Sequence, residues 1–164
     1  MDTLLERARR IRLLALDVDG VLTDGRLYLS PAGEELKVFH VRDGSGLVAV
    51  QRAGIAVAIV SGRDSAAVTR RAAELGIRHV RQGVADKGME LDRLLAELAI
   101  DPAATACVGD DTPDLPMLRR AGLAIAVADA HPALAEAAHW TTAAPGGRGA
   151  VREVCDLLLS ARAP

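Results

Sequence analysis

The sequence predicts an α/β fold built on a doubly wound, Rossmann-like parallel sheet, and three observations support this prediction. Short apolar runs alternate along the chain with amphipathic stretches of about 10 to 15 residues, which is the pattern of parallel strands joined by helices. The 164 residues suit a single domain, residues 1–164. Polar residues follow several apolar runs, and in such sheets ligands bind beyond the carboxyl ends of the strands.

The chain opens with a helix and a buried strand. Thr3, with Glu6 three residues later, predicts a capping box at the start of a short helix. Residues 11–16 are mostly apolar and predict a buried strand that ends at Asp17. The residues that follow this strand are therefore the first candidates for a functional site.

A β-hairpin is predicted at about residues 26–40. Leu-Tyr-Leu at 27–29 and Leu-Lys-Val-Phe at 36–39 flank a Ser-Pro-Ala-Gly turn. An isolated hairpin is marginal in water, and its apolar side chains would be poorly buried. We therefore expect the hairpin to pack against another surface.

From residue 43 onward, helices and strands alternate to the end of the chain. A glycine-containing stretch, residues 143–149, separates the last two helices and is expected to be a mobile loop. The predicted elements, in chain order, are helix 43–52, strand 55–60, helix 64–75, strand 79–81, helix 86–98, strand 106–108, helix 113–120, strand 124–127, helix 132–138 and helix 150–159.

The composition excludes several classes of function. Lys and Arg number 20 against 22 Asp and Glu, so no global field favours nucleic acid or an anionic membrane. Three aromatic residues are too few for a base-stacking platform. No apolar run approaches the roughly 20 residues of a membrane span. The two cysteines lie far apart in apolar runs, which indicates reduced core thiols and a cytoplasmic protein.

Clustered carboxylates follow two of the predicted strands. Asp17 and Asp19 come directly after strand 11–16, in Asp-Val-Asp-Gly-Val-Leu-Thr-Asp. One such Asp is commonly an acidic turn, but two like charges at one strand end are costly unless a cation or a function offsets them. Residues 109–114, Gly-Asp-Asp-Thr-Pro-Asp, add three carboxylates at another strand end, where capping a helix needs only one.

Further polar groups follow the other strands. Ser61, Gly62 and Arg63 come directly after strand 55–60, and Asp86-Lys87 opens a helix. Alone, each pattern is more often a turn or a surface pair. Together with the carboxylates they fit a divalent-metal site that handles a phosphate, because carboxylate oxygens suit Mg²⁺ while Ser, Lys and backbone N–H groups suit phosphoryl oxygens.

These motifs, in this order, resemble those of the haloacid dehalogenase superfamily of aspartate-nucleophile phosphatases. The chain is further similar to a subgroup, the phosphatases of 3-deoxy-D-manno-octulosonate 8-phosphate, which serve lipopolysaccharide precursor synthesis. The resemblance covers about residues 11–155 and implies the haloacid dehalogenase fold with a small hairpin insertion and no large cap domain. The matching segments are Asp17-x-Asp19, Ser61, Lys87, Gly109-Asp110-Asp111-x-x-Asp114, and the longer stretches 17–25, 41–46, 61–63, 127–132 and 146–153.

The resemblance implies how the chemistry is divided among four side chains. Asp17 would attack phosphorus and form an aspartyl phosphate. Asp19 would protonate the leaving oxygen and then deprotonate the attacking water. Ser61 and Lys87 would hold phosphoryl oxygens as charge shifts in the transition state.

The resemblance also implies a Mg²⁺ cofactor and a set of substrate contacts. Asp17, Asp110 and the backbone carbonyl of Asp19 would bind the ion. Asp111 and Asp114 would act through metal-bound waters or by orienting Lys87. Substrate contacts are expected from Thr23, Arg42, Gly62, Arg63 and Arg148.

The hairpin is too small to enclose a sugar acid, and the resemblance implies a homotetramer in which hairpins meet at the centre and each site is completed by the adjacent subunit. The expected ligand is a small sugar-acid phosphate, with no nucleic acid and no membrane as partner. Two alternatives stay open: a phosphatase of a nine-carbon sialic-type acid 9-phosphate, and a non-enzymatic, receiver-like phosphoacceptor. Motif order argues against the receiver, which takes its phosphate on a mid-chain strand.

Overall fold

A computed structural model describes residues 2–162, and it contains a six-stranded parallel sheet and a separate two-stranded hairpin. The sheet order is β5-β4-β1-β6-β7-β8, which places the first strand of the chain near the centre. The strands are β1 Leu13–Leu16, β2 Tyr28–Leu29, β3 Glu35–Leu36, β4 Ala56–Val60, β5 His79–Arg81, β6 Thr105–Gly109, β7 Leu123–Ala126 and β8 Trp140–Thr141.

Helices cover both faces of the sheet. The helices are α1 Leu4–Arg10, α2 Val41–Arg52, α3 Ala66–Glu74, α4 Lys87–Leu98, α5 Leu115–Leu118, α6 Pro132–Ala137 and α7 Ala150–Ser160, with short 3₁₀ turns at Pro102–Ala104 and Thr112–Asp114. The predicted α/β, doubly wound architecture is confirmed. Within residues 2–162 there is no large cap domain, and no helix is long and apolar enough to cross a membrane.

The core consists of two apolar layers that share the central strand. Leu14 and Leu16 face a layer that includes residues of α2, α3 and α7. Leu13 and Ala15 face the opposite layer, with residues of α4, α5 and α6. Because side chains alternate along a strand, β1 contributes to both layers, and all four of its residues are buried. It pairs in parallel with β4 on one side and β6 on the other.

Two elements near the carboxyl end of the chain differ from the sequence prediction. The single helix predicted at residues 113–120 is a 3₁₀ turn followed by the four-residue α5. Pro116 has no N–H to donate to a carbonyl four residues earlier, so a regular helix cannot run through this point. The sixth strand, β8, was not predicted because it has only two residues and no apolar run.

The hairpin has the predicted position and turn, but its strands are only two residues long. Gly33 has a φ of +84°, and its N–H donates to the carbonyl of Ser30, which closes the turn. Leu29 and Leu36 are 64% and 66% exposed in the single chain. A pair of strands this short leaves its apolar side chains uncovered.

Helix α7 begins without a side-chain cap of its own. Gly149 occupies the N-cap position with a φ of +109°. The carboxylate of Asp43, buried in the first turn of α2, accepts a hydrogen bond of 2.8 Å from the backbone N–H of Arg152, the third residue of α7. Asp43 therefore caps α7 from a neighbouring helix, and its burial raises the pKa of the carboxyl group.

We expect Asp43→Ala to lower the free energy of unfolding by about 1–2 kcal/mol, the usual cost of losing an N-cap acceptor. Asp43→Asn keeps an oxygen for the Arg152 N–H and removes a buried charge, so it should stay within about 0.5 kcal/mol of the parent chain at pH 7. Urea unfolding at fixed protein concentration measures both. Equal losses for Ala and Asn would show that the carboxylate charge, and not the cap, is what stabilises this contact.

Candidate active site

The carboxyl ends of three adjacent strands bring the predicted site residues together. Asp17 follows β1, Ser61 follows β4 and Asp110 follows β6, and these strands are neighbours in the sheet. Lys87 is the first residue of α4, whose N-cap Asp86 accepts a hydrogen bond from the N–H of Met89. A cleft of about 350 Å³ opens above this edge. It is lined by Asp17, Asp19, Gly25, Gly62, Arg63, Lys87, Asp110, Asp111, Pro113 and Asp114.

Lys87 is buried between two carboxylates. Its Nζ lies 2.8 Å from Oδ1 of Asp17 and 2.6 Å from Oδ1 of Asp114, and its side chain is 6% exposed. Burial alone lowers the pKa of a lysine, but the two carboxylates outweigh it and the pKa of Lys87 is raised. The ammonium is therefore charged and fixed in the floor of the cleft.

Asp114 holds both Lys87 and the loop after β6. Its Oδ2 accepts hydrogen bonds from the backbone N–H groups of Asp110 and Asp111, at 3.0 and 3.3 Å. A Cβ on Gly109 would lie 2.6 Å from the Cβ of Asp114, so only glycine allows this close approach. Asp111, which is exposed, caps the following 3₁₀ turn by accepting from the N–H of Thr112 at 2.7 Å.

The acidic cluster has three carboxylates, and the one lysine in contact with it does not balance their charge. Carboxylate oxygens of Asp17, Asp110 and Asp114 lie within 4.8 Å of one another. Burial and the charge of Asp114 raise the pKa of Asp17 to about 6, although Lys87 opposes this shift. Burial and the charges of Asp17 and Asp114 raise the pKa of Asp110 to about 8. A cation would relieve both effects.

The donor set fits Mg²⁺. Asp114 uses both of its oxygens within the protein, which leaves the carboxylates of Asp17 and Asp110 as donors to an ion. Hard oxygen donors of this kind, few in number and completed by water and phosphate oxygens, are what Mg²⁺ prefers. The carboxylate of Asp19 lies outside this cluster, and the expectation that its backbone carbonyl serves the ion stays a prediction.

Asp19 is held by cations from two elements. Its Oδ1 lies 2.5 Å from Nζ of Lys37 in the hairpin, and its Oδ2 lies 3.8 Å from Nε of Arg63. Glu35 pairs with both cations, at 3.0 Å from Nζ of Lys37. Sequence reasoning missed Glu35 and Lys37; the available signal was that charged residues alternate with Leu36 and Val38 along the second hairpin strand.

The four remaining predicted residues are not among those that line the cleft of this subunit. Ser61 is buried, and its Oγ accepts from the N–H of Arg63 at 3.3 Å. Thr23 is also buried, and its Oγ1 accepts from the N–H groups of Gly20 and Gly25, so it supports the loop after β1. Arg42 and Arg148 are exposed and do not line the cleft of this subunit. The substrate contacts predicted for these residues stay predictions.

The loop at residues 143–149 packs against the loop after β1. The N–H of Gly147 donates to the carbonyl of Val21 at 2.9 Å, and the N–H of Gly146 donates to Asp129 at 2.9 Å. A Cβ on Gly146 would lie 1.7 Å from the carbonyl oxygen of Gly20, so the two backbones approach as closely as glycine permits. The mobility expected of this loop stays a prediction.

Comparison with known proteins gives one consistent result. A family model described as haloacid dehalogenase-like hydrolase matches residues 79–152. The 3-deoxy-D-manno-octulosonate 8-phosphate phosphatase KdsC of Yersinia pestis is 50% identical over 98% of this chain and 86% of its own length. The enzyme of the same name from Escherichia coli K12 is 52% identical over 96% of this chain and 84% of its own length.

A solved structure agrees with the sequence relatives. The 3-deoxy-D-manno-octulosonate 8-phosphate phosphatase of Moraxella catarrhalis, in complex with a magnesium ion, a phosphate ion and KDO, superposes with a TM-score of 0.95 at 45% identity and covers 97% of this chain and 91% of that one. With such identity over nearly the whole length, the chain belongs to the haloacid dehalogenase-like hydrolases and, within them, to the family of 3-deoxy-D-manno-octulosonate 8-phosphate phosphatases.

Proposed function

We propose that this chain is a Mg²⁺-dependent phosphatase that hydrolyses 3-deoxy-D-manno-octulosonate 8-phosphate to the free sugar acid and inorganic phosphate. One observation carries the proposal: a buried lysine lies between Asp17 and Asp114 at the strand ends, beside the carboxylate of Asp110. A cation and a phosphate would complete the charge balance of this cluster. The relatives named above support the eight-carbon sugar acid, so neither the nine-carbon substrate nor a receiver domain is favoured.

The proposed nucleophile is Asp17. It follows the central strand at the base of the cleft, and Lys87 holds its Oδ1. Attack by a carboxylate oxygen on phosphorus gives an aspartyl phosphate and splits the hydrolysis into two easier steps. Bound between Asp17, Asp110 and the carbonyl of Asp19, Mg²⁺ would supply charge neutralisation for the carboxylates and the phosphate.

Asp19 is the proposed acid and base. It would protonate the sugar oxygen as the phosphorus–oxygen bond breaks, and later take a proton from the water that attacks the aspartyl phosphate. Lys87 and Ser61 would bind phosphoryl oxygens, with Asp114 orienting Lys87. Gly62 and Arg63 line the cleft and would contact the sugar acid. The substrate contacts expected of Thr23 and Arg42, which do not line the cleft of this subunit, stay predictions.

A homotetramer is proposed on the evidence of the hairpin surface. The hairpin and the first residue of α2 expose apolar side chains that a neighbouring copy would bury: Leu27, Leu29, Leu36, Val38 and Val41. In such an assembly Arg148 would reach the carboxylate of a substrate in the adjacent site, where a planar guanidinium suits the group. We also propose that the enzyme acts in the cytoplasm, in the synthesis of a lipopolysaccharide precursor.

Phosphate release from a panel of esters tests the function. We expect the highest kcat/KM for 3-deoxy-D-manno-octulosonate 8-phosphate, about 10- to 150-fold above hexose and nucleoside monophosphates, because a lost charged contact costs about 1.5–3 kcal/mol. The nine-carbon acid 9-phosphate is the critical comparison. A preference for it, or for a substrate without a carboxylate, would contradict the proposed substrate, and no release from any ester would contradict a phosphatase.

We expect Asp110 to bind the metal ion but to lower the free energy of unfolding of the metal-free chain. Because its pKa is raised to about 8, ionising it disfavours the folded, metal-free chain increasingly as pH rises from about 4 through about 8. We expect Asp110→Asn to stabilise the metal-free protein at pH 8 by about 1 kcal/mol and to lose the Mg²⁺-dependent gain, which for the parent chain is about 2.7 kcal/mol at 100 times Kd.

Thermal unfolding with and without Mg²⁺ measures this prediction, and Glu136→Gln, an exposed acid on α6, is the control that should keep the full gain. The gain from Mg²⁺ in the parent chain should also grow from pH 6 to pH 8, since the ion replaces a proton. An Asp110→Asn protein that Mg²⁺ stabilises as much as the parent chain would contradict the assignment.

The hairpin surface gives a prediction about assembly. Leu36→Glu places a charge in the proposed contact and should shift the chain from tetramer to smaller species in light scattering. It should also lower kcat/KM for the sugar-acid phosphate by about tenfold or more, about 1.4 kcal/mol. Leu5→Glu, on α1 and 48% exposed, is the control. A monomeric parent chain, or an unchanged tetramer in the variant, would refute the proposed assembly.

A further inference from the structure

The two lysines of the chain occupy equivalent environments. The sequence has 20 basic side chains, and only Lys37 and Lys87 are lysine; the others are arginine. Each Nζ lies within 3.0 Å of two carboxylates, one of which is Asp17 or Asp19. The side chain of Lys37 is only 2% exposed, although the hairpin that carries it is largely open to solvent. A compact ammonium suits such a place better than a guanidinium, which needs a planar fork of partners.

The contacts of Lys37 form a balanced network of four charges. Two carboxylates, Asp19 and Glu35, alternate with two cations, Lys37 and Arg63. Burying an ammonium is costly unless it is paired, and here both of its partners are in place. The network links the hairpin to the loop after β1 and to the loop after β4.

The two carboxylate oxygens of Asp19 have different surroundings. Oδ1 accepts a charge-assisted hydrogen bond from Nζ of Lys37, with the two atoms 2.5 Å apart. Oδ2 lies 3.8 Å from the Nε of Arg63, which is beyond hydrogen-bond distance, and Asp19 lines the cleft. One oxygen is therefore anchored, and the other is open to a group that enters the cleft.

We propose that Lys37 is a positioning residue that fixes the carboxyl group of Asp19 for proton transfer, and that Glu35 holds Lys37 in place. The inference rests on the proposed role of Asp19. As an Asp17 oxygen bonds to phosphorus, the bond from phosphorus to the sugar oxygen breaks with its electron pair. That oxygen takes the proton that Asp19 carries on Oδ2 in its protonated form, which it reaches by taking up a proton from water before the bond to the sugar oxygen breaks. The carboxylate left behind is stabilised by the ammonium already in contact with Oδ1.

Leaving-group dependence separates this role from a purely structural one. A sugar alkoxide needs a proton as it leaves, whereas p-nitrophenolate leaves without one. Because kcat/KM reports the steps up to phosphoenzyme formation, loss of a positioned acid should lower it for the sugar phosphate and hardly for p-nitrophenyl phosphate. A hairpin that had merely come loose would affect the two substrates alike.

The experiment uses Lys37→Met, Asp19→Asn and the double variant, with Arg26→Met as the control for removing an exposed hairpin cation. We expect Lys37→Met to lower kcat/KM for the sugar phosphate by about 10- to 100-fold and for p-nitrophenyl phosphate by less than about threefold, the range expected when a catalytic group is misplaced. Asp19→Asn should show the same selectivity with a larger loss. The double variant should lose no more than Asp19→Asn, because Lys37 acts through Asp19.

Each other outcome has a definite meaning. Equal losses on both substrates, or additive losses in the double variant, would overturn the inference. If Asp19→Asn showed no selectivity, the acid role of Asp19 would be wrong and the inference about Lys37 would fail with it. The proposed phosphatase function would still stand, because it rests on turnover of the sugar phosphate by the parent chain.

Should Lys37→Met fail to fold, Glu35→Gln tests the same network with the lysine retained, and Glu34→Gln, its exposed neighbour, is the matched control. Glu35→Gln should lower the sugar-phosphate value selectively by about two- to fivefold, as expected for a lost charged partner one contact removed from the acid. An effect equal to that of Glu34→Gln would overturn the proposal.

Discussion

Concentrated negative charge at the carboxyl edge of the central strands is the constraint on which the site depends. Three carboxylates lie close together there, and two of them contact the buried ammonium of Lys87. Removing one partner from such a group leaves a buried charge without compensation, which costs several kcal/mol. The pKa values of Asp17 and Asp110 are raised because burial and mutual repulsion are not fully offset. The cluster is therefore arranged for a divalent cation and a phosphate, which would bring the missing charge and ligands.

The fold supplies the rigidity that this arrangement needs. Strand β1 lies between β4 and β6 and is buried on both faces, so Asp17 follows a strand that is held on every side. Close backbone approaches then fix the loops around it. Gly109 admits the side chain of Asp114, and Gly146 lies against the carbonyl of Gly20. The hairpin adds a second set of charges, through which Asp19 is tied to Lys37 and Arg63.

Much of this organisation could be predicted from the sequence because its causes are local. Apolar runs and helix caps indicated the strands and helices to within a few residues, and acidic residues directly after strands indicated the edge where Asp17, Ser61 and Asp110 meet. The missed features depend on tertiary structure. The two-residue strand β8 exists only because β7 offers an edge for pairing, and Pro116 shortens the helix predicted at residues 113–120. The pairing of Lys37 with Asp19 joins residues 18 positions apart and requires the fold of the hairpin.

In the proposed reaction the phosphoryl group is transferred to Asp17 itself, and Lys87 and the other carboxylates serve that transfer. Rapid acid quenching of the Mg²⁺-loaded protein during turnover of ³²P-labelled sugar-acid phosphate, followed by peptide mapping, tests this most directly. We expect a transient, base-labile label on the peptide that contains Asp17, and none in Asp17→Asn. A label on the peptide that contains Asp110, or turnover with no labelled protein at any time, would contradict it.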